Sequence, residues 1–230
     1  MTAWRLVVSP GLSGAANMAL DREAFTQAQP TLRFYSWRPR CITVGYSQDP
    51  AAELDLERAK QLGYDVVQRP TGGGIVFHNE AEITYSLVTA LDDPLLPRGL
   101  IASYKVISEA VAAGLKLLGA AAEVKQVRDQ RQAARDTLCF SYPTEFEIVA
   151  RGRKLVGSAQ KRNKQAILQQ GSVFVRRPDA ELFSLLKKPC REHNAISLEE
   201  LLGRQTTFNE LKGALLAGFR QGLGVRLDEK

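Results

Sequence analysis

Hydrophobic and polar positions fall into blocks that divide this chain into a helical start, a strand-rich middle and a helical end. The stretch from Ala15-Ala16-Asn17-Met18-Ala19-Leu20-Asp21 onward reads as a helix. Leu32–Trp37 and Cys41–Gly45 are β-rich runs joined through Pro39 and read as strands. Asp49-Pro50 carries a helix-start signal, with proline at the first helical position, and leads into a helix over Glu53–Leu62. Tyr64–Gln68 and Ile83–Val88 again read as strands. Tyr104, Ile107, Val111, Leu115 and Leu118 then recur at helical spacing, with Gly119 where a C-terminal cap belongs. Further strands are predicted over 123–127, 145–150, 154–156 and 166–175. Near the end, Ser197 with Glu200 and Thr207 with Glu210 have capping-box spacing. The pattern predicts an α+β fold, with a mixed, largely antiparallel central sheet flanked by helices, in one domain over 1–230. It lacks the regular strand–helix alternation of a dinucleotide fold, and no G-x-G-x-x-G opens a helix.

Between two of the predicted strands lies Arg69-Pro70-Thr71-Gly72-Gly73-Gly74-Ile75-Val76-Phe77-His78. Three successive glycines cost backbone entropy, so a packed domain uses them where backbone must approach something closely. A basic residue before them and a histidine after them suit a loop that offers N–H groups to an oxygen-bearing ligand. The plainer alternative is a glycine-rich hairpin turn.

Composition changes this picture little; charge changes it more. A 44% hydrophobic and 24% charged chain of 230 residues is ordinary for a globular protein. No run approaches the roughly 20 apolar residues of a membrane span, and the N-terminus lacks the basic-then-apolar layout of a secretory signal. Cys41, Cys139 and Cys190 have neither pairing parity nor metal-ligand spacing, which predicts free thiols in a reducing cytoplasm. Two histidines argue against a histidine metal site. The net charge of +6 is concentrated. Arg151, Arg153, Lys154, Lys161, Arg162 and Lys164 share a window without an acid, and Lys125, Arg128, Arg131 and Arg135 precede it. Such a cluster is a solvated face or a docking surface for an acidic partner. Aromatics are not interleaved with it, which weakens a single-strand nucleic-acid reading.

Three residues carry candidate chemistry. Cys139 has basic flanks that favour a thiolate, although a lone cysteine also serves as a small core residue; Cys41 sits in an apolar strand and reads as core, and Cys190 has no evident helper. Lys154 follows a turn at Arg151-Gly152 and precedes Gly157-Ser158-Ala159, where a ligand could meet backbone amides. Basic neighbours would ease loss of its proton, as an acid/base role requires; a solvated strand-edge lysine is the alternative. His78 is a base, a ligand-orienting donor, or a strand residue satisfied by a carbonyl.

Taken together these segments resemble the lipoate/biotin protein ligase catalytic-domain superfamily over roughly residues 4 to 220. Asn17–Asp21 is similar to its opening helix motif. Arg69 to His78, with Tyr85-Ser86 downstream, is similar to its acyl-pocket motif, and Lys154–Ala159 to the segment that bears its catalytic lysine. Cys139-Phe140, Glu147, Gly152-Arg153-Lys154 and Gly157-Ser158-Ala159-Gln160-Lys161-Arg162 resemble the cysteine-dependent octanoyltransferases of the LipM type. The Gly-Arg-Gly-Arg loop of biotin ligases has no counterpart. Many relatives have a histidine where this chain has Gln170, so no proton-transfer role is assigned there.

The resemblance implies transfer of an octanoyl group from acyl carrier protein to a lysine of a lipoyl domain, with Cys139 as nucleophile and Lys154 as acid/base. Arg69, Thr71, Gly72, Gly73, Gly74, His78, Gly157, Ser158 and Ala159 would bind the acyl group. Arg128, Arg131, Arg135, Arg162 and Lys164 would dock the carrier. Thioester exchange followed by amide formation needs no ATP, metal or other cofactor. The expected protein is a cytoplasmic monomer that binds neither nucleic acid nor membrane. Three alternatives stay open. An ATP-dependent lipoate–protein ligase would use the same loop and lysine but no cysteine, and usually has a further C-terminal domain for which no length remains after residue 220. An amidotransferase between lipoyl proteins would share the cysteine. A non-catalytic acyl-protein or nucleic-acid binding module would use only the basic face.

Overall fold

The computed structural model describes residues 3–125, 146–188 and 194–229. Its strands are β1 (Trp4–Leu12), β2 (Thr31–Trp37), β3 (Cys41–Val44), β4 (Asp65–Gln68), β5 (Val76–His78), β6 (Ile83–Ala90), β7 (Glu123–Val124), β8 (Ile148–Ala150), β9 (Arg153–Arg162), β10 (Ala166–Val173) and β11 (Leu227–Glu229). Its helices are α1 (Gly14–Gln27), α2 (Pro50–Glu53), α3 (Leu56–Gln61), α4 (Leu100–Leu117), α5 (Leu198–Leu202) and α6 (Phe208–Leu223). Eight strands form the main sheet in the order β11-β1-β2-β6-β10-β9-β8-β7, antiparallel from β2 to β7 and parallel where β1 meets β2 and β11. A second sheet has the order β4-β3-β5. The fold is the expected α+β arrangement of a mostly antiparallel sheet flanked by helices. Among the described residues no helix is long and apolar enough to cross a membrane.

The central strands are buried on both faces, and the two faces differ in chemistry. Leu32 and Phe34 of β2 and Ile83, Tyr85 and Leu87 of β6 join the large apolar core with Ile107, Val111 and Leu115 of α4 and Leu211, Leu215 and Phe219 of α6. The alternate residues Arg33, Tyr35, Thr84 and Ser86 are also buried; they face α1 and the smaller sheet, where hydrogen bonds satisfy them. Period-two alternation thus survives as apolar against polar, not as buried against exposed.

Local signals set the helix ends. The Ser13 side chain accepts from Ala16 N–H at the start of α1, and Ser197 and Glu200 complete a capping box on α5; such caps contribute about 1 kcal/mol each. Gly119, at φ +87°, follows the end of α4. The single helix expected over Glu53–Leu62 is instead two. Leu54 is extended, fully buried and bridged to Leu186, and Asp55 caps a fresh start by accepting from Arg58 N–H.

The hairpin alternative for the glycine run does not hold. The strands on either side of it, β4 and β5, do not pair with each other; both pair with β3, one parallel and one antiparallel. The loop therefore crosses the end of β3. A Cβ at Gly45, just past β3, would collide with the Gly73 carbonyl oxygen, and Gly73 itself holds φ +91°. This crossing requires glycine on both sides.

Candidate active site

A cleft opens between the two sheets beneath α1. Met18 comes from α1, Tyr35 and Trp37 from β2, Thr43 from β3, Val76 and His78 from β5, and Thr84 from β6. Gly157, Ser158 and Ala159 of β9 and Gln170, Gly171 and Ser172 of β10 complete the wall with Arg69. Two motifs distant in sequence, the glycine run and Gly157–Ala159, thus meet in one cleft. Arg69, His78, Gly157, Ser158 and Ala159 line it. Thr71 is buried behind Gln170, and Gly72, Gly73 and Gly74 form the turn that Arg69 braces.

Arg69 acts from inside. Its Nη2 donates to the Gly72 and Gly74 carbonyls at 2.8 and 2.6 Å, and its Nη1 to the Thr43 carbonyl and Oγ1 at 3.2 and 3.1 Å. The guanidinium consumes the loop's carbonyls and fixes its course. The chain of partners continues to His78. Thr43 Oγ1 lies 2.9 Å from His78 Nε2, and Glu82 Oε1 lies 3.2 Å from His78 Nδ1. Arg69 can only donate, so Thr43 Oγ1 accepts from it while also meeting Nε2. Thr43 on one ring nitrogen and Glu82 on the other hold the imidazole in place. The ring stacks on Trp37 with centroids 4.2 Å apart. Of the three readings of His78 this is closest to the third, a satisfied strand residue, but its partners are side chains and not a carbonyl. Burial raises the Glu82 carboxyl above its ordinary value, and His78 only partly offsets that.

Lys154 is 1% exposed and donates from Nζ to the buried Glu147 carboxylate. It is neither a strand-edge nor a solvated residue. Its backbone is gripped on the other side, the N–H donating to Asn194 O at 3.1 Å and the carbonyl accepting from Ile196 at 2.9 Å. A buried ammonium needs a counter-charge, and the Glu147 carboxylate supplies it. Phe146, directly before Glu147, holds φ +64° and donates its N–H to Lys125 O at 2.7 Å. Cys139, Arg128, Arg131, Arg135 and Cys190 lie outside the described residues. Cys41 is buried against Met18, Tyr35 and Trp37, and burial, then Asp65 and Glu82, drives its thiol far above the ordinary range. It is a core thiol, as its apolar strand implied.

The backbone at Gly157–Ala159 is sorted by its ladder. Gly157, Ser158 and Ala159 face Ser172, Gly171 and Gln170 across β9–β10. Tyr104 OH donates to the Ser158 carbonyl at 3.0 Å, so the Ser158 peptide groups point away from β10. A strand residue's N–H and C=O share one side. Past Val156, β9 has no second strand partner among the described residues, so the Ser158 N–H is the one presented outward. Gly171 sits close by necessity, since a Cβ there would collide with the Tyr85 ring and Ser158 Oγ.

Sequence reasoning missed Asp21, Arg33, Thr43, Glu82 and, as a partner for Lys154, Glu147. Asp21 lies four residues after Asn17 on one face of α1, and both hold Arg33. That i, i+4 spacing of two short polar side chains was the available signal. The basic window also divides. Arg153 donates to Ala195 O, Lys161 sits 4.3 Å over the Tyr46 ring, and Arg162 donates to Gly99 O at 2.8 Å and Ser103 Oγ at 2.7 Å. Arg162 thus braces β9 against the start of α4. Lys164 is exposed.

The family model for the lipoyl protein ligase A/B catalytic domain matches residues 13–220. The octanoyltransferase LipM of Anoxybacillus flavithermus is 36% identical, over 98% of this chain and 88% of its own length. That of Bacillus subtilis is 33% identical over the same shares. Among solved structures, a lipoate-protein ligase A bound with ATP superposes with a TM-score of 0.81 at 26% identity, covering all of this chain and 89% of the other. A putative lipoate protein ligase from T. acidophilum with bound lipoic acid gives the same TM-score at 23% identity and the same coverage, a likeness of fold.

Proposed function

The chain belongs to the lipoyl protein ligase A/B catalytic-domain family, and from that membership and its cleft we propose that it is an octanoyltransferase of protein lipoylation. It moves an octanoyl group from acyl carrier protein to a lysine of lipoyl-domain proteins through a thioester on Cys139. The observation that carries the reading is the meeting of the glycine-run and Gly157–Ala159 motifs in one cleft, in a chain similar over nearly its whole length to LipM octanoyltransferases.

The cleft's wall combines apolar surface from Met18, Tyr35, Trp37 and Val76 with a few fixed polar groups, which suits a medium-length acyl chain. Each buried methylene contributes about 0.8 kcal/mol. The Cys139 thiolate attacks the donor's thioester carbonyl, the carbon–sulfur bond to pantetheine breaks, and the departing thiolate takes a proton from the Lys154 ammonium. The acceptor amine then attacks the Cys139 thioester, neutral Lys154 recovers its proton from that amine, and the carbon–sulfur bond to Cys139 breaks to give the amide and restore the thiolate. The Glu147 carboxylate beside Nζ provides the counter-charge for the ammonium from which this order starts. The Ser158 N–H, turned away from the ladder, is the candidate oxyanion donor; one such donor contributes about 3 kcal/mol to the transition state. Cys139 stands eight residues before Glu147 in sequence (147 − 139), within chain reach of this pair.

Incubation with octanoyl-acyl carrier protein, without ATP, should add one octanoyl mass to the protein by intact mass spectrometry. Cys139→Ser should gain no thioester. Lys154→Arg, which keeps the charge without a usable proton near neutral pH, should bind donor and turn over at a rate lower by at least ~100-fold. A modification that appears only with ATP, or that persists on Cys41 or Cys190, overturns the reading.

A further inference from the structure

One side chain ties the glycine loop to the first helix. Gln170, on the cleft wall and 5% exposed, donates from Nε2 to Asp21 Oδ2 at 2.6 Å. Its Oε1 accepts from Thr71 Oγ1 at 2.7 Å. The Asp21 carboxylate also receives Arg33 Nη1 at 2.9 Å, Ser86 Oγ at 2.7 Å and Tyr35 OH at 2.9 Å. With four donors on one carboxylate, the Gln170 amide has a single satisfactory orientation. Turned over, it would press Oε1 against Oδ2, two acceptors without a hydrogen between them. Thr71 must then be the donor, and its own carbonyl holds Tyr46 N–H at 2.9 Å just past β3.

We propose that Gln170 is a positioning residue that holds Thr71, and through it the glycine loop beside the cleft, by a bridge to Asp21 whose hydrogens do not titrate near neutral pH. The inference rests on the acyl reading of the cleft. Each hydrogen in the bridge belongs to an amide, a hydroxyl or a guanidinium, none of which titrates near neutral pH. The charged and titratable groups that face it are Asp21 from α1, Arg33 and Tyr35 from β2, and Arg69 beside Thr71. His78 of β5, with Glu82 behind it, reaches the same strand through Ser172. Tyr35 is kept neutral, its phenol raised by burial and then by Asp21.

An imidazole at this position tests the idea, since a neutral ring can copy the pattern, donating to Asp21 from one nitrogen and accepting from Thr71 on the other. A protonated ring has two donors and turns the Thr71 hydroxyl away. The probe is the amide analogue of octanoyl-pantetheine, which cannot acylate a thiol, titrated calorimetrically. Its Kd for Gln170→His divided by that for wild type should be near one at about pH 8 and rise roughly tenfold by about pH 5.5. Taking the ratio cancels any titration of His78 or Glu82 common to both proteins. Gln170→Met should weaken binding at both pH values, and Gln170→His at the higher pH serves as its own folded control. A flat ratio for the histidine variant, or wild-type affinity in Gln170→Met, overturns the inference while wild type still binds the probe. A wild type that does not bind the probe overturns the acyl reading and this inference with it.

Discussion

Burial raises the Glu82 carboxyl, and this makes the residue a liability as pH rises. A native carboxyl held above its unfolded value binds its proton more tightly in the folded state, so the unfolded state binds fewer protons and stability falls with pH. The contribution is fully present below the ordinary carboxylate value of 4.5 and is lost as pH climbs through the raised one. Glu82→Gln keeps a hydrogen-bonding partner for His78 Nδ1 without a charge. Its stability relative to wild type should therefore increase between about pH 4.5 and neutral, as read by urea denaturation at a series of pH values. A constant difference across that range would mean that Glu82 is not perturbed by burial. At this scale the sequence reported residue types well and partners badly. His78 and Arg69 stood out through their place beside three glycines. Thr43 and Glu82, which decide what His78 can do, lie on β3 and just before β6, and only their convergence gives them meaning. Glu147 was visible in a motif, yet its pairing with Lys154 across β8 and β9 was not.

The elements follow the same rule, since those specified by local chemistry were legible and those specified by neighbours were not. Repeating apolar positions announced α4, and Ser197 with Glu200 announced α5. β1 and β11 carry no comparable signal; each is completed by parallel pairing with a distant segment. β5 spans three residues and exists because β3 offers it an edge. The break between α2 and α3 comes from Leu54 reaching Leu186, although Asp55 had the character of a cap. The glycine run belongs with the second group, because what it crosses determines its shape. Gly45 is the test, for it admits the Gly73 carbonyl where any side chain would strike it. Gly45→Ala should lower stability by about 1–3 kcal/mol, the usual range for overpacking, and raise the KM for octanoyl donor. Gly72→Ala is the control, because a Cβ at Gly72 meets nothing within 4 Å and φ there is not positive. Equal effects at the two positions would show that the loop is not held by this crossing.

For the whole molecule, the net charge of +6 matters where it stands beside the cleft. β9 leads from Ser158, on the cleft wall, out to Lys161, and Lys164 follows in the turn to β10. Tyr46, beneath Lys161, is 63% exposed, and Leu100 and Ile101 at the start of α4 are 52% and 62% exposed. Arg162 joins the two segments through Gly99 and Ser103. Lysines beside exposed apolar side chains, on and just past the strand that runs out from the cleft wall, would suit an acidic carrier that must also deliver a buried chain. Attraction between such surfaces raises the encounter rate and is screened over about 8 Å at physiological salt. Lys161→Glu with Lys164→Glu should lower kcat/KM for octanoyl-acyl carrier protein on the order of 3- to 10-fold. It should spare octanoyl-coenzyme A, and the dependence of kcat/KM on salt should flatten. Arg162→Glu should differ, lowering kcat/KM for both donors, because it removes the brace at Gly99 as well as a charge. A nucleic-acid partner would instead require micromolar binding of oligonucleotides by wild type at physiological salt. Equal loss with both donors in the lysine variant would remove the rim from docking and return those lysines to the role of a solvated face.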